Sequence, residues 1–175
     1  MKIKEKIRTI PDHPKKGIMF RDITTLLKDR EGFKNTVKTF VGWYKDKKID
    51  IVCGIESRGF IIGDVIAQQL GLGFVPIRKK GKLPAAVERE EYELEYWMDT
   101  IEIYKDIIKE GDKVLLVDDL LATGGTSLAA ARLIERIGSK VIECAIIIDL
   151  PEVGGRKRLK MAGYPMFYLC EFEGE

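Results

Sequence analysis

Short apolar runs alternate with helical segments along this chain, and that alternation restricts its fold more than any other feature. The runs are nearly continuous, as strands buried on both faces are, and the segments between them repeat apolar residues at helical spacing. This order favours an α/β fold with a mostly parallel sheet that helices cover on both sides. The predicted strands cover residues 51–54, 73–78, 114–117, 141–150 and 166–172.

Capping residues place the helices between these strands. Asp29 is a candidate N-cap for a helix of residues 30–44, and Gly71 and Gly138 are expected to end two later helices. A short first helix is predicted within residues 2–9, before a proline-rich break.

A long, highly charged segment separates two of the core strands. Within residues 82–104, Tyr92, Leu94 and Tyr96 alternate with glutamates, which predicts a hairpin with its turn near residues 97–99. A long insertion in a compact domain is more often functional than idle, so we expect this hairpin to serve the site.

Composition excludes several classes of protein. The 175 residues suit one domain, and 30 basic against 28 acidic residues leave a net charge of +2, which does not favour a nucleic acid or membrane partner. The N-terminus shows neither a signal peptide nor a membrane span. Three cysteines in apolar runs without a CxxC pair indicate buried free thiols and a cytoplasmic protein.

The stretch VLLVDDLLATGGTS, residues 114–127, carries the strongest chemical signal. Asp118 and Asp119 follow an apolar strand, at the edge where parallel sheets bind ligands, and two neighbouring carboxylates there need donors. The alternative is that one of them caps a turn while the other faces water.

The glycine turn that follows can bind an anion. Two glycines open a helix whose first amides lack partners, and hydroxyls flank them. The turn is neither a Walker A loop nor a GxGxxG turn, so one monophosphate fits best. With the two carboxylates facing a diol, the stretch predicts a site for ribose 5-phosphate.

Further motifs occur in an order that resembles one family. FRDIT (20–24), GIESRGF (54–60), IRKKGKLP (77–84) and YELEY (92–96) accompany the glycine turn. Together they resemble the adenine phosphoribosyltransferases, within the type I phosphoribosyltransferases, over residues 10–172. The resemblance implies one domain over residues 1–175, with a twisted sheet flanked by helices, a small hood from about residues 1–25 and a mobile hairpin at about 80–105.

The resemblance also implies the reaction and most of the site. Enzymes of the family transfer ribose 5-phosphate from phosphoribosyl diphosphate to N9 of adenine, with Mg²⁺ held mainly by substrate and water and no protein metal cage. They are commonly homodimers. By resemblance, Ala122, Thr123, Gly124, Gly125 and Thr126 hold the 5'-phosphate and Asp118 and Asp119 the ribose. Ser57, Arg58, Arg78, Lys79 and Lys82 hold pyrophosphate, and Met19, Phe20, Arg21 and Leu150 hold adenine.

The hairpin carries the proposed acid or base. The resemblance selects Glu95, with Tyr96 beside it, although Glu91 and Glu93 look alike from the residues alone. A carboxylate there would assist loss of the adenine proton and stabilise positive charge on the sugar. Trp97 stands where the family usually has glycine, which puts closure of the hairpin in doubt more than the reaction.

Other interpretations stay open at this point. Residues 78–82 alone could be a solvated basic loop, Met19 and Phe20 could be core residues, and residues 156–160 (RKRLK) are expected to be a solvated helix face. His13 is assigned no role. The chain could also use hypoxanthine, guanine or xanthine, or it could sense phosphoribosyl diphosphate without turnover.

Overall fold

A computed structural model describes residues 2–93 and 98–174 of the chain, and it has the predicted α/β architecture. Glu95, Tyr96 and Trp97 lie outside the described residues. In these two described ranges, seven strands form one sheet in the order β5-β6-β4-β3-β7-β8-β9. Its strands are β3 (Ile51–Ile55), β4 (Gly73–Lys79), β5 (Val87–Glu93), β6 (Met98–Tyr104), β7 (Lys113–Leu121), β8 (Lys140–Asp149) and β9 (Met166–Glu171).

The apolar runs predict five of these strands, and all five are parallel, as expected: β3, β4, β7, β8 and β9. Side chains of β7 alternate between two hydrophobic cores, with Val114 and Leu116 in the first and Leu115 and Val117 in the second. The first core lies under α4 and the hairpin, and the second under the N-terminal helices. Burial on both faces explains why these strands read as continuous apolar runs.

Within the part of the chain that the structure describes, five α-helices connect the strands. They are α1 (Thr24–Lys28), α2 (Arg30–Tyr44), α3 (Arg58–Leu70), α4 (Gly125–Arg136) and α5 (Gly155–Met161). Asp29 caps α2 as predicted, because its carboxylate accepts a hydrogen bond from the Gly32 amide at 2.7 Å. Gly71 ends α3 in a left-handed conformation at φ +69°, also as predicted.

The N-terminal segment differs from the prediction. Only a 3-10 turn, Ile3–Lys6, forms where a short helix was expected, and β1 (Arg8–Pro11) follows it at once. This strand pairs antiparallel with β2 (Met19–Asp22) in a separate two-stranded ribbon. The two strands are too short and too exposed to show an alternating pattern, so their pairing was not visible in the sequence.

The inserted segment forms the predicted hairpin, with β5 antiparallel to β6 and β6 antiparallel to β4. Met98 and Asp99 belong to β6, so the turn does not extend to Asp99 as expected. The pairing of Glu93 with Met98 continues the strand to that point.

The cysteines are free thiols. Cys53 and Cys144 are buried and Cys170 is half-buried, and burial raises the pKa of Cys144 to about 12. Among the described residues, no helix has the length and apolar character needed to cross a membrane.

Candidate active site

The candidate residues gather at the carboxyl edge of the parallel strands. There β3 leads into α3 and β7 leads into the glycine turn, while β4 and β8 end on either side. Parallel packing brings these ends together although they are far apart in sequence.

The glycine turn forms a small cavity at the start of α4. Gly124 is the N-cap residue and has a left-handed backbone, φ +78°, which a side chain would strain. It has no capping side chain, so the first amides of α4 point outward; only the Thr123 hydroxyl accepts from the Gly125 amide, at a weak 3.4 Å. The cavity, of about 160 Å³, is lined by Asp118, Leu120, Leu121, Ala122, Thr123, Gly124, Gly125, Thr126 and Ser127. All five predicted phosphate residues therefore line one cavity.

A second glycine turn, which no sequence pattern predicted, supports the first. The Gly155 amide donates a hydrogen bond to the Ala122 carbonyl at 2.9 Å. A Cβ on Gly155 would overlap that carbonyl and come within 2.8 Å of the Gly124 nitrogen. Only glycine allows this approach, so the start of α5 fixes the backbone of the phosphate turn.

Asp118 and Asp119 lie within β7 rather than beyond its end, which corrects the prediction. The strand continues because its backbone keeps pairing with β8, as in the match of Leu121 with Asp149. Both aspartates are buried, since Asp118 is 9% exposed to solvent and Asp119 is 5% exposed. Burial, and then the charge of Asp119, raise the pKa of Asp118 well above its usual value.

Arg58 connects the carboxylates to α3. Its Nε donates to Asp119 Oδ2 at 2.5 Å, and its guanidinium lies 5.6 Å from the centre of the Phe20 ring. Three predicted sites, those for pyrophosphate, ribose and adenine, thus meet at one side chain. The contact of Arg58 with Phe20 joins residues about 40 positions apart, and its contact with Asp119 joins residues about 60 apart. No local sequence pattern encodes either contact.

Ser57, Arg78 and Lys82 lie around Glu56. Ser57 is the exposed N-cap residue of α3, and Arg78 Nε donates to Glu56 at 3.0 Å. Burial raises the pKa of Glu56, but Arg78, the Lys79 amide and Lys82 outweigh burial and lower it. The basic loop therefore faces the same edge of the sheet as Arg58.

Lys79 points toward the hairpin instead. Its Nζ donates to the Tyr92 hydroxyl at 2.7 Å and pairs with Asp99. The structure thus separates Lys79 from the other predicted pyrophosphate residues, since its charge already has a carboxylate partner.

The adenine candidates divide into two groups. Met19 is exposed and Phe20 is half-buried. Neither residue belongs to a hydrophobic core, which argues against plain core packing. The ring of His13 packs edge-on against Phe20, 5.2 Å between centroids, a neighbour that the sequence did not suggest.

Arg21 and Leu150 are turned to other partners. Arg21 donates to the Thr9 hydroxyl and the Glu173 carbonyl, so only its backbone remains on the Phe20 side of the ribbon. Leu150 is buried in the second core, and its amide donates to the Leu121 carbonyl at 3.0 Å.

The hairpin lies against the first turn of α4. The Glu93 carbonyl comes within 2.9 Å of the point where a Cβ on Gly125 would lie. At the other end of α4, Arg136 pairs with Glu88 and Glu90 and donates to the Arg89 carbonyl at 2.7 Å. The hairpin thus brings the chain to the cavity directly before residues 94–97, which include Glu95 and Tyr96 and lie outside the described residues.

The donor chemistry of the site suits Mg²⁺ shared with a ligand. Asp118 and Asp119 supply hard carboxylate oxygens beside the phosphate turn. Among residues 2–93 and 98–174, no three His, Cys, Asp or Glu side chains are grouped so as to hold a metal ion.

Known proteins are similar to this chain in sequence and in architecture. The model of the phosphoribosyl transferase domain matches residues 24–164. An adenine phosphoribosyltransferase of Nitrosospira multiformis is 60% identical over 99% of both chains. The crystal structure of the enzyme of that name from Rhodothermus marinus superposes with a TM-score of 0.90, at 46% identity over 97% and 96% of the chains. That from Saccharomyces cerevisiae, solved with adenine and an imino-altritol bisphosphate, has a TM-score of 0.90 and 36% identity over 96% of each chain.

Proposed function

This chain belongs to the adenine phosphoribosyltransferases, and from that premise we propose that it transfers the 5-phosphoribosyl group of phosphoribosyl diphosphate to N9 of adenine, giving AMP and pyrophosphate. The observation that carries the proposal is the cavity lined by the phosphate turn and the buried Asp118, next to Asp119 and its partner Arg58. The reaction is a salvage step, because it returns a free base to the nucleotide pool.

The phosphate turn and the carboxylates hold the sugar. The outward amides of Gly124, Gly125 and Thr126 bind the 5'-phosphate, and the hydroxyls of Thr123 and Thr126 add donors. Asp118 and Asp119 accept from the ribose hydroxyls, which satisfies carboxylates that burial otherwise leaves costly. Fixing both ends of the sugar orients its reacting carbon.

Basic side chains stabilise the leaving group. Arg58, Arg78 and Lys82 face the edge of the sheet near Ser57, where the diphosphate accumulates negative charge as its bond to the sugar breaks. Lys79 contributes less directly, because it holds the hairpin through Tyr92 and Asp99.

The base binds between the ribbon and the sheet edge. Phe20 packs on the adenine ring, backbone atoms of Met19 and Arg21 read its edge, and Leu150 lies on the other side. Residues of about 1–25 form the hood. Glu95 accepts the N9 proton, and closure of the hairpin with Tyr96 excludes water from the sugar cation.

Magnesium and a second subunit complete the proposal. Mg²⁺ would be held mainly by substrate oxygens and water, beside Asp118 and Asp119, and when bound it neutralises charge on the diphosphate. We further propose that the chain acts as a homodimer in the cytoplasm, as the family resemblance implies.

The experiment that tests the proposal is incubation of the protein with phosphoribosyl diphosphate, Mg²⁺ and one of four bases. We expect AMP from adenine and little product from hypoxanthine, guanine or xanthine. A preference for guanine would assign another purine as substrate. Binding of phosphoribosyl diphosphate without any nucleotide product would instead indicate a sensor.

A further inference from the structure

Arg158 lies beside the phosphate turn, although the basic run that contains it was expected to face only solvent. Its Nη1 is 3.7 Å from the point that a Cβ on Gly125 would reach. The cause is the glycine contact described above: Gly155 packs on residues 122–124, so the first turn of α5 lies against the opening of α4. Arg158 projects from that turn.

The other residues of the run 156–160 contact other partners or face solvent. Arg156 Nε donates to the buried Asp149 at 2.5 Å, and the same guanidinium pairs with Glu171 and covers the ring of Tyr168. Leu159 is buried in the first core. Lys157 and Lys160 are exposed on other faces of α5. The helix therefore places one cation, Arg158, beside Gly125 at the border of the cavity.

The cavity needs such a cation. Its lining supplies backbone amides and the hydroxyls of Thr123, Thr126 and Ser127, all neutral, and its one charged lining side chain among the described residues is Asp118. A phosphate monoester carries about −1.5 to −2 charges near pH 7. Neutral donors bind it less strongly than a guanidinium does, and a neighbouring carboxylate repels it.

Arg158 is available for this role. Within residues 2–93 and 98–174 its side chain has no carboxylate partner and no hydrogen bond, whereas Arg156, two positions earlier, has both. We propose that Arg158 is a phosphate-binding residue that supplies the positive charge for the 5'-phosphate in the cradle of residues 122–127. The proposal rests on the proposed function, because it takes the sugar phosphate as the ligand of that cradle.

The hairpin offers the one competing role. The Glu93 carbonyl reaches the same Gly125 position, so Arg158 could instead hold the hairpin down. The two roles predict different measurements. A phosphate-binding residue changes affinity for ribose 5-phosphate and AMP, whereas a residue that holds the hairpin changes turnover at saturating substrate.

The test compares Arg158→Gln with the matched control Lys157→Gln, which removes the same charge from the adjacent position. Calorimetry measures dissociation constants for AMP, ribose 5-phosphate and adenine, and thermal unfolding checks that both variants fold. We expect Arg158→Gln to weaken AMP and ribose 5-phosphate binding by about 5- to 10-fold at low salt, and less at high salt, with adenine binding unchanged. Arg158→Lys should restore part of the affinity.

Each other outcome decides against a specific claim. Equal AMP affinity in Arg158→Gln and Lys157→Gln overturns the role of Arg158 but leaves the proposed function standing. A lower kcat with unchanged AMP affinity assigns Arg158 to the hairpin. A wild-type chain that binds neither AMP nor ribose 5-phosphate overturns both proposals at once.

Discussion

Asp118 shows at the scale of one residue how a binding site opposes stability. Its carboxylate is buried beside Asp119, and these two causes raise its pKa. Because the folded pKa lies above the unfolded value of about 4, ionisation of Asp118 costs folding free energy as the pH rises above that value. The protein keeps a carboxylate at this position, although an uncharged amide would destabilise the fold less.

Asp118→Asn should therefore stabilise the ligand-free protein and weaken ligand binding. We expect an unfolding free energy higher by about 1 kcal/mol at pH 7, a gain that disappears below about pH 3, where Asp118 is protonated in both states. Affinity for phosphoribosyl diphosphate should fall. Urea unfolding at several pH values and calorimetry measure the two effects, and a variant less stable at pH 7 would contradict this account.

Glu95 is the residue for the proton transfer in the proposed mechanism. We expect Glu95→Gln to lower kcat by about 100-fold or more while KM changes little, because a positioned acid or base acts in the transition state. Steady-state kinetics against the control Glu91→Gln measures this. A rate equal to wild type would assign the proton transfer elsewhere.

Sequence predicted the residues of the site better than their contacts. The phosphate turn, Asp118 and Asp119 stand in one short motif, so their proximity could be predicted, whereas Arg58 reaches Asp119 from 61 positions away. The position of Arg158 depends on a contact between glycines 31 residues apart, and that of His13 on the ribbon, so neither follows from a local pattern.

The hairpin and α4 behave as one unit at the scale of elements. Arg136 contacts Glu88, Arg89 and Glu90, while the start of the same helix lies against Glu93. One helix thus forms the phosphate turn at its first residue and holds the base of the hairpin at its last.

Arg136→Gln should loosen the hairpin. We expect amides of β5 to exchange hydrogen about 5- to 10-fold faster, since the variant loses two ion pairs and a backbone contact. Hydrogen exchange measured by mass spectrometry tests this, with Arg132→Gln, an exposed residue one turn earlier on α4, as the control. Equal exchange in the two variants would show that packing alone holds the hairpin.

Elements were predicted well where burial imposes a pattern. The parallel strands and α2 follow from apolar runs and the Asp29 cap. The β1–β2 ribbon and the role of α5 were missed, because exposed short strands and charged helices carry no periodic signal. The continuation of β7 to Leu121 was missed because two aspartates interrupt its apolar run.

The site depends on the order of the strands in the sheet, which no single segment encodes. The order places β3, β4, β7 and β8 side by side, so their carboxyl ends, with the ribbon nearby, form one site. A ligand there contacts elements from both ends of the chain and should stabilise all of them together.

AMP should therefore raise the melting temperature of the protein. At about 100 times its dissociation constant we expect about 2.7 kcal/mol of stabilisation, or about 5–10 °C for a domain of this size. Differential scanning calorimetry measures the shift, with adenosine as the control that lacks the phosphate. An equal shift with adenosine would show that the phosphate turn contributes nothing to affinity.

The ion pair between Arg58 and Asp119 has a consequence for discrimination among metabolites. The two side chains neutralise each other at 2.5 Å. A molecule that binds only one of them therefore leaves the other charge without a counter-ion. Free pyrophosphate would take the guanidinium alone, and a bare pentose the carboxylate alone. A compound with hydroxyls and an anionic group on adjacent atoms can replace both partners at once, because its hydroxyls donate to Asp119 while its anionic group binds Arg58.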